Sequence, residues 1–295
     1  RRRTTYEANG VQLLTSSVRS GLTYLSKVYA LECLRWAAGI ENKLSLVDVK
    51  SMKEWVQDIP GHLVALALHA LQHGTDGDKL EAVVRCASIA TIDKDAVKLR
   101  KAGIVAPLVT LLRDGSDMHK LWAAEALKNL CCDEAIRAEM VEKQAIGPLT
   151  ALLRVGTDEQ KHRAALALGN LAANHDAARE IGHKHAIDPL AALVKIGTQI
   201  QKRCAAFALG NLALDDANRV EMVRACTIPP LVALLQTEIK LDKQHAANAL
   251  ANLAIDVPNH VLIVRAGAIG PLVVLLHTGN KMAKQFPANA LANLA

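Results

Sequence analysis

The sequence of 295 residues has few aromatic side chains, only 3% of the chain, although 51% of its residues are hydrophobic. Leu, Ala and Val supply the apolar mass, which favours packed helices over sheet, because strands prefer aromatic and β-branched residues. No run of about 18 apolar residues is free of charge, so the sequence predicts no transmembrane span. Half of the net charge of +6 lies in residues 1–60, and the rest lacks the basic stripe of a nucleic-acid binder.

The cysteines and histidines form no pattern that predicts a metal centre or a disulfide framework. No C-x-x-C pair occurs, and Cys131 stands where the repeat described below has alanine, which indicates a small core residue. We expect Cys204 and Cys226 to be accessible thiols. The sequence also lacks a phosphate-binding loop, a G-x-S-x-G motif, a kinase motif set and paired carboxylates. It therefore predicts no catalytic residue, no metal and no cofactor.

What the sequence does contain is an internal repeat, whose period is the interval from Pro107 to Pro148. Glycine recurs at the same interval, except that Glu238 replaces it in one unit. Ser88 occupies the asparagine position in the unit that precedes the first repeated asparagine. The repeated prolines and asparagines are Pro107, Pro148, Pro189, Pro230 and Pro271, and Asn129, Asn170, Asn211, Asn252 and Asn293. Because independent motifs share one period, the sequence predicts stacked units that bury their apolar faces against one another.

The spacing within one unit predicts three helices. The apolar stripe after Pro148 predicts a second helix with the proline at its first position, where the missing N–H costs nothing. Gly156 is expected to stop this helix in the left-handed conformation. Thr157 is expected to cap a third helix that runs to about Ala172. The core face of this helix should carry Ala164, Ala165, Leu168 and Leu171.

A short helix comes first in each unit and is expected around residues 134–143 and 218–224. It should contribute Met140 and Met222 to the core. Aspartates recur just before this helix, so we expect them to cap it. They are Asp133, Asp215 and Asp256.

The repeat divides the chain into a divergent N-terminal part and an array. Residues 1–59 lack the period and hold five of the eight aromatic residues, so we interpret them as helices that cap the array. The array covers residues 60–295. Its predicted units are 60–91, which is degenerate, then 92–132, 133–173, 174–214, 215–255 and 256–295, the last incomplete at its end. Because Arg1 is not an initiator methionine and Ala295 falls inside a predicted helix, we expect a fragment with further repeats.

The segments GPLTALLRVGTDEQKHRAALALGNLA and PPLVALLQTEIKLDKQHAANALANLA resemble armadillo repeats, and the resemblance covers about residues 60–295. It implies an all-α fold, a right-handed α-solenoid of three-helix repeats whose third helices line a concave groove. It also implies that the asparagine near the end of each third helix binds the main chain of an extended partner. HEAT repeats are the nearest alternative, but they have two helices and lack this asparagine. The sequence is closest in character to vacuolar and plant-type armadillo scaffolds.

The sequence departs from the importin-α-like members of this family, which carry tryptophan four residues before the asparagine to sandwich lysine side chains. The residues at this position are Val84, Glu125, Leu166, Phe207, Asn248 and Asn289. Those seven residues before the asparagine are Glu81, Trp122, Arg163, Cys204, His245 and Phe286. An acidic ladder for basic peptides is also absent. These departures argue against a classical nuclear localisation signal as the ligand.

The repeated asparagines allow two interpretations. Their amides either face the main chain of a partner, as donors and acceptors, or bond a neighbouring helix and mark common ancestry. We favour the first, mostly because of the resemblance.

A row of lysines lies nine residues before the asparagines, which places it on the opposite side of the third helix. The lysines form either an acid-binding rim or, as we favour, a solvated edge. These are Lys79, Lys120, Lys161, Lys202, Lys243 and Lys284.

The sequence thus predicts a non-enzymatic scaffold that binds an extended or helical, amphipathic segment of another protein in the groove, and no nucleic acid. The predicted binding residues are Asn129, Asn170, Asn211, Asn252, Asn293, Trp122, Glu125, Arg163, Leu166, Phe207, His245 and Asn248. One alternative is the recognition arm of a larger enzyme, such as a ubiquitin ligase, and a weaker one is an RNA-binding solenoid. The expected location is the cytoplasm, with nuclear or peripheral membrane association through other regions as alternatives.

Overall fold

The computed structural model of the chain describes residues 59–91, 93–278 and 281–295. The regular structure in these ranges consists of seventeen helices and contains no strand. The helices are α1 Ile59–His73, α2 Asp76–Ile89, α3 Asp93–Lys101, α4 Val105–Asp114, α5 Asp117–Leu130, α6 Glu134–Glu142, α7 Ile146–Val155, α8 Asp158–Leu171, α9 His175–His183, α10 Ile187–Ile196, α11 Gln199–Leu212, α12 Asp216–Arg224, α13 Ile228–Leu234, α14 Lys240–Leu253, α15 Pro258–Arg265, α16 Ile269–Thr278 and α17 Lys281–Leu294. The predicted cap, 1–59, lies outside the described residues except for its last one, so it stays a prediction.

From α3 onward the helices come in threes, and every third helix is 14 residues long. Thr157 caps α8 as predicted, because its hydroxyl accepts from the N–H of Gln160 at 3.3 Å. The side chain of Gln160 in turn accepts from the N–H of Thr157 at 2.9 Å. Such a reciprocal pair satisfies two helix-end donors that the helix itself leaves without partners. The helix start is therefore specified by residues close together in the sequence.

The chain divides into two compact units, Arg1–Ala126 and Leu127–Ala295. In the first unit, α1 packs against α2, α3 and α4, and Nε2 of His119 bonds the carbonyl of Asp76 at 3.0 Å. In the second unit the third helices α8, α11, α14 and α17 stack in order. The predicted core residues of this unit are fully buried. They are Met140, Ala164, Ala165, Leu168, Leu171 and Met222.

Two local predictions at the second helix are wrong. Pro148 is the third residue of α7, which begins at Ile146, and it is tolerated there because no N–H of the first turn has a partner within the helix. Gly156 is extended, with φ −71°, and not left-handed. The left-handed position lies instead between the first and second helices, where Gln144 has φ 61° and Cys226 has φ 53°.

Glycine is required after the second helix for space. A Cβ on Gly156 would lie 2.5 Å from the carbonyl oxygen of Leu152, and one on Gly197 would lie 2.5 Å from that of Leu193. Where Glu238 replaces the glycine, α13 ends early, at Leu234, and α14 starts without a side-chain cap. The repeated glycine therefore allows the second helix to continue to the turn that precedes the third helix.

Substituting Gly197 with alanine is expected to lower the free energy of unfolding by about 1–3 kcal/mol, because a carbonyl oxygen cannot move aside without displacing the end of α10. The matched control is Gly147→Ala in α7, where a Cβ would meet nothing within 4 Å. This control should stabilise the chain by up to about 1 kcal/mol, since alanine favours the helix. Urea unfolding of both variants measures the difference. Equal effects would contradict the steric explanation.

The aspartates before the first helices do not all act as predicted. Asp133 and Asp215 cap α6 and α12, and each accepts a bond of 3.1 Å from a backbone N–H. Asp256 was expected to cap α15, but this prediction is wrong. The carboxylate of Asp256 instead accepts two bonds of 2.8 Å from the guanidinium of Arg219. The carboxylate of Asp256 is therefore bonded to a buried arginine of the preceding repeat and not to the N–H groups at the start of α15.

No single helix in the described ranges is long and apolar enough to cross a membrane. The bent pair α15 and α16, with 80° between its helices, meets the length and composition criteria only when the two are taken together.

Candidate functional site

The stacked third helices of the second unit present one common face. An α-helix turns 100° per residue, so positions eleven, seven and four residues before the asparagine lie within about 40° of it. We call the surface formed by these four positions on α8, α11 and α14 the third-helix face. In α11 it consists of Ile200, Cys204, Phe207 and Asn211, and in α14 of Leu241, His245, Asn248 and Asn252.

Each asparagine of the second unit from α8 onward bonds the third helix of the preceding repeat. The donor is the side-chain Nδ2, and the acceptor is a backbone carbonyl 42 residues earlier in the chain. The pairs are Asn170 to Lys128 at 3.2 Å, Asn211 to Gly169 at 2.8 Å, Asn252 to Gly210 at 2.8 Å and Asn293 to Ala251 at 3.0 Å. The second interpretation of the asparagines, a bond to a neighbouring helix, therefore holds for these four residues, and the first, a bond to a partner's main chain, stays a prediction.

These bonds leave part of each amide available. One amide carries two N–H donors and one carbonyl acceptor, and the helix-to-helix bond uses one donor. Among the described residues, no hydrogen bond reaches Oδ1 of Asn211 or Asn252. Both side chains are half-buried on the face. The stacking bonds hold these two amides in place with their acceptors unused. Asn129, at the end of α5, is also half-buried.

The predicted side chains around the asparagines share the face. Arg163, Leu166 and Asn248 are half-buried, and the rings of Phe207 and His245 meet edge to face with centroids 5.2 Å apart. Glycine one residue before the asparagine leaves room for the side chains that the next third helix places on the face. A Cβ on Gly169 would lie 2.7 Å from the Phe207 ring, and a Cβ on Gly210 would lie 2.7 Å from Nδ2 of Asn248.

Two predicted residues, Trp122 and Glu125, lie on α5 in the first unit, and both are half-buried. Asn293 and Asn289, on α17, are exposed. The roles of all of these side chains in binding remain predictions.

Two carboxylates, Asp242 beside the face and Glu159 at its first position on α8, have basic side chains as partners. Asp242 is completely buried and accepts from Nε of Arg203 at 2.5 Å and from the side-chain amide of Gln199. Glu159 lies 3.6 Å from both Arg163 and His162. Sequence reasoning missed the Arg203–Asp242 pair. The signal was that aspartate occupies the capping-box position in a helix whose cap residue, Ile239, cannot use it.

Burial shifts the pKa values of two titratable groups on this face, Cys204 and His245. Cys204 is buried, so the expectation that it is accessible is wrong, and desolvation raises the pKa of its thiol to about 11. Burial, and then the charge of Arg203, lowers the pKa of His245. Cys226 is exposed, as expected. The described residues contain no group of three or more metal-ligating side chains.

Sequence reasoning also missed the aliphatic residues at the first position of the face. Ile200 and Leu241 are the second residues of α11 and α14, and both are exposed. The helical period alone was sufficient to place them on the face.

No protein-family model matches the sequence, and no curated protein matches it. Solved structures do match. A designed armadillo repeat protein is 25% identical with a TM-score of 0.72, covering 80% of this chain and 99% of its own. An engineered protein is 25% identical with a TM-score of 0.79, covering 98% of this chain and 69% of its own. A designed armadillo repeat protein in complex with the peptide (KR)4 is 24% identical with a TM-score of 0.70, covering 80% of this chain and 99% of its own. The predicted fold class, an all-α solenoid of three-helix armadillo repeats, is confirmed.

Proposed function

We propose that this chain, an armadillo-like repeat protein, is a non-enzymatic scaffold that binds an extended segment of another protein on its third-helix face. The partner's main chain would bond the amides of Asn170, Asn211 and Asn252. Its side chains would contact Arg163, Leu166, Phe207, His245 and Asn248. A cytoplasmic location and a likeness to plant-type scaffolds belong to this proposal as expectations.

The observation that carries the proposal is that asparagine amides at the same position of successive third helices are each fixed by a hydrogen bond. Each amide is fixed by one bond to the preceding third helix, and its oxygen remains on a half-buried face. A fixed acceptor loses little conformational entropy when it receives an N–H from a partner. Amides repeated at one position in stacked helices suit a main chain, which repeats its own donors and acceptors. The fold itself suits such a ligand, since a designed armadillo repeat protein of this fold is in complex with a peptide.

A dodecapeptide phage library selected on the full chain tests the proposal. Selected peptides should bind the parent and lose at least tenfold in affinity for the triple variant with Asn170→Ala, Asn211→Ala and Asn252→Ala, because three main-chain contacts disappear together. Each lost bond is typically worth about 0.5–1.5 kcal/mol, in stability as well as in binding. The free energy of unfolding should therefore fall by about 2–4 kcal/mol, and calorimetry should be run where both proteins are folded.

The matched control is the double variant Asn218→Ala and Asn259→Ala. These buried asparagines lie on the first helices α12 and α15, outside the third-helix face. They donate three bonds to backbone carbonyls: those of Ala178 in α9, Leu212 at the end of α11 and Leu253 at the end of α14. The control should lose similar stability and keep its affinity. If no peptide is enriched, or if the triple variant binds the selected peptides as tightly as the parent does, the proposed function is wrong.

A further inference from the structure

An exposed aliphatic surface lies around the N-terminal ends of two adjacent third helices. We call it the aliphatic edge, and it consists of Ile196, the last residue of α10, with Ile200 in one repeat, and of Ile239 and Leu241 in the next. All four side chains are exposed, Ile196 almost completely. Contiguous patches of exposed apolar residues commonly mark interaction sites.

Bonds between the two helices place the two halves of the edge side by side. The buried carboxylate of Asp242, next to Leu241, is bonded to the side chain of Gln199, next to Ile200. It is also bonded to Arg203, one turn further along α11. The first turns of α11 and α14 are therefore joined by bonds between residues adjacent in sequence to Ile200 and Leu241.

The edge continues into the third-helix face. Ile200 lies one and two turns before Cys204 and Phe207 on one side of α11, and Leu241 lies one turn before His245 on α14. The contact between the rings of Phe207 and His245 connects these residues of α11 with those of α14. Burial, and then the charge of Arg203, lowers the pKa of His245, which favours the uncharged form of its ring.

The charges around the edge indicate what accompanies the apolar residues of a ligand. Lysines border it on both repeats, whereas Asp242 is buried and already bonded to Arg203. Glu238 is the exposed carboxylate within residues 195–202 and 236–243, and the exposed Asp158 of the preceding repeat accepts a bond of 2.9 Å from the side chain of Gln201, next to Ile200. The bordering lysines are Lys195, Lys202, Lys240 and Lys243. A ligand with acidic residues would gain from these lysines, whereas a ligand of lysine and arginine would meet repulsion.

We propose that the aliphatic edge anchors an aliphatic or aromatic side chain of the partner segment, with acidic residues next to it in the partner's sequence. The proposal rests on the proposed function, since it assigns the chemical class of the segment bound by the same face. It specifies an acidic–aliphatic ligand, in contrast to the basic (KR)4 peptide of the designed protein.

The dodecapeptide selection on the full chain tests this assignment through the composition of the enriched peptides. Leu, Ile or Phe together with Asp or Glu should be enriched over the unselected library. The double variant Ile200→Ser with Leu241→Ser should bind these peptides at least tenfold more weakly. The matched control, Val220→Ser with Val261→Ser, removes valines of the first helices that are 56% and 54% exposed, against 52% for Ile200 and 50% for Leu241. It should bind as the parent does.

Several outcomes would overturn the assignment. If the enriched peptides are rich in Lys and Arg, or bind the Ile200→Ser, Leu241→Ser variant as tightly as the parent, the edge is not an anchor. The proposed function still stands in that case, provided that the triple asparagine variant loses binding. If no peptide is enriched, both proposals fail. Co-sedimentation with vesicles of two parts phosphatidylcholine to one part phosphatidylserine completes the test. Pelleting that depends on Ile200 and Leu241, without enriched peptides, would make the edge a lipid-binding surface instead.

Discussion

Replacing Leu168 with alanine is expected to lower the free energy of unfolding by about 2–5 kcal/mol. The side chain is completely buried in α8, which packs against α7 of its own repeat and α11 of the next. Alanines already occupy the neighbouring positions Ala164, Ala165 and Ala167, so little side-chain volume is available to fill the space. The lost transfer free energy and the remaining cavity therefore add. Urea unfolding followed by circular dichroism measures the change.

The matched control is the same substitution at Leu214, which is about half exposed. Removing it should cost less than about 1 kcal/mol, because less apolar surface is returned to water. Lys161→Ala, at the half-buried lysine row, should change stability by less than about 0.5 kcal/mol. Similar losses at Leu168 and Leu214 would mean that α8 does not bury the face assigned to it.

Substituting Arg219 with methionine is expected to lower the free energy of unfolding by about 2–4 kcal/mol. The guanidinium is 5% exposed, bonds Asp256 twice at 2.8 Å and Asp216 at 2.6 Å, and donates to the carbonyl of Ala213 at 3.1 Å. Methionine keeps most of the apolar stem but leaves these acceptors without their donor. The loss lies below the range of about 3–5 kcal/mol for a fully buried pair, because Asp256 retains some contact with water.

Arg224→Met in the same helix is the control for this prediction. Arg224 is 72% exposed and bonds Glu221 at 2.7 Å, so its removal should cost less than about 1 kcal/mol. Thermal unfolding at low and high salt separates the two sites. The loss at Arg219 should persist in high salt, since a buried pair is screened little. An equal loss at Arg224 would show that burial does not determine the strength of these bonds.

Sequence patterns predicted those features that depend on neighbours close along the chain. Thr157 predicted the start of α8, because a cap hydroxyl needs only a backbone N–H three residues further along the chain. The spacing of Leu168 and Leu171 predicted the buried side of that helix through the helical period. The constant interval between the repeated prolines predicted stacked units, since no unit of that size buries its own apolar face.

The sequence predictions were wrong where a residue type is common in more than one conformation or environment. Gly156 was expected in the left-handed region because glycine tolerates it, yet glycine is needed there to avoid the carbonyl of Leu152. Asp256 was expected to cap a helix because aspartate often does, yet Arg219 competes for its carboxylate. Cys204 was expected to be accessible, but the stacking of α11 against its neighbours buries it.

The sequence by itself determined the repeat, the helices and the row of asparagines, because these follow from periodicity and from the preferences of single residues. Only the tertiary structure decided that Asn211 donates one N–H to Gly169, that Asp242 pairs with Arg203, and that Ile200 and Leu241 are exposed. These contacts join groups that lie one repeat apart in the chain. Their existence depends on how closely successive third helices approach, and the approach is set by the packing of the small side chains and glycines between those helices.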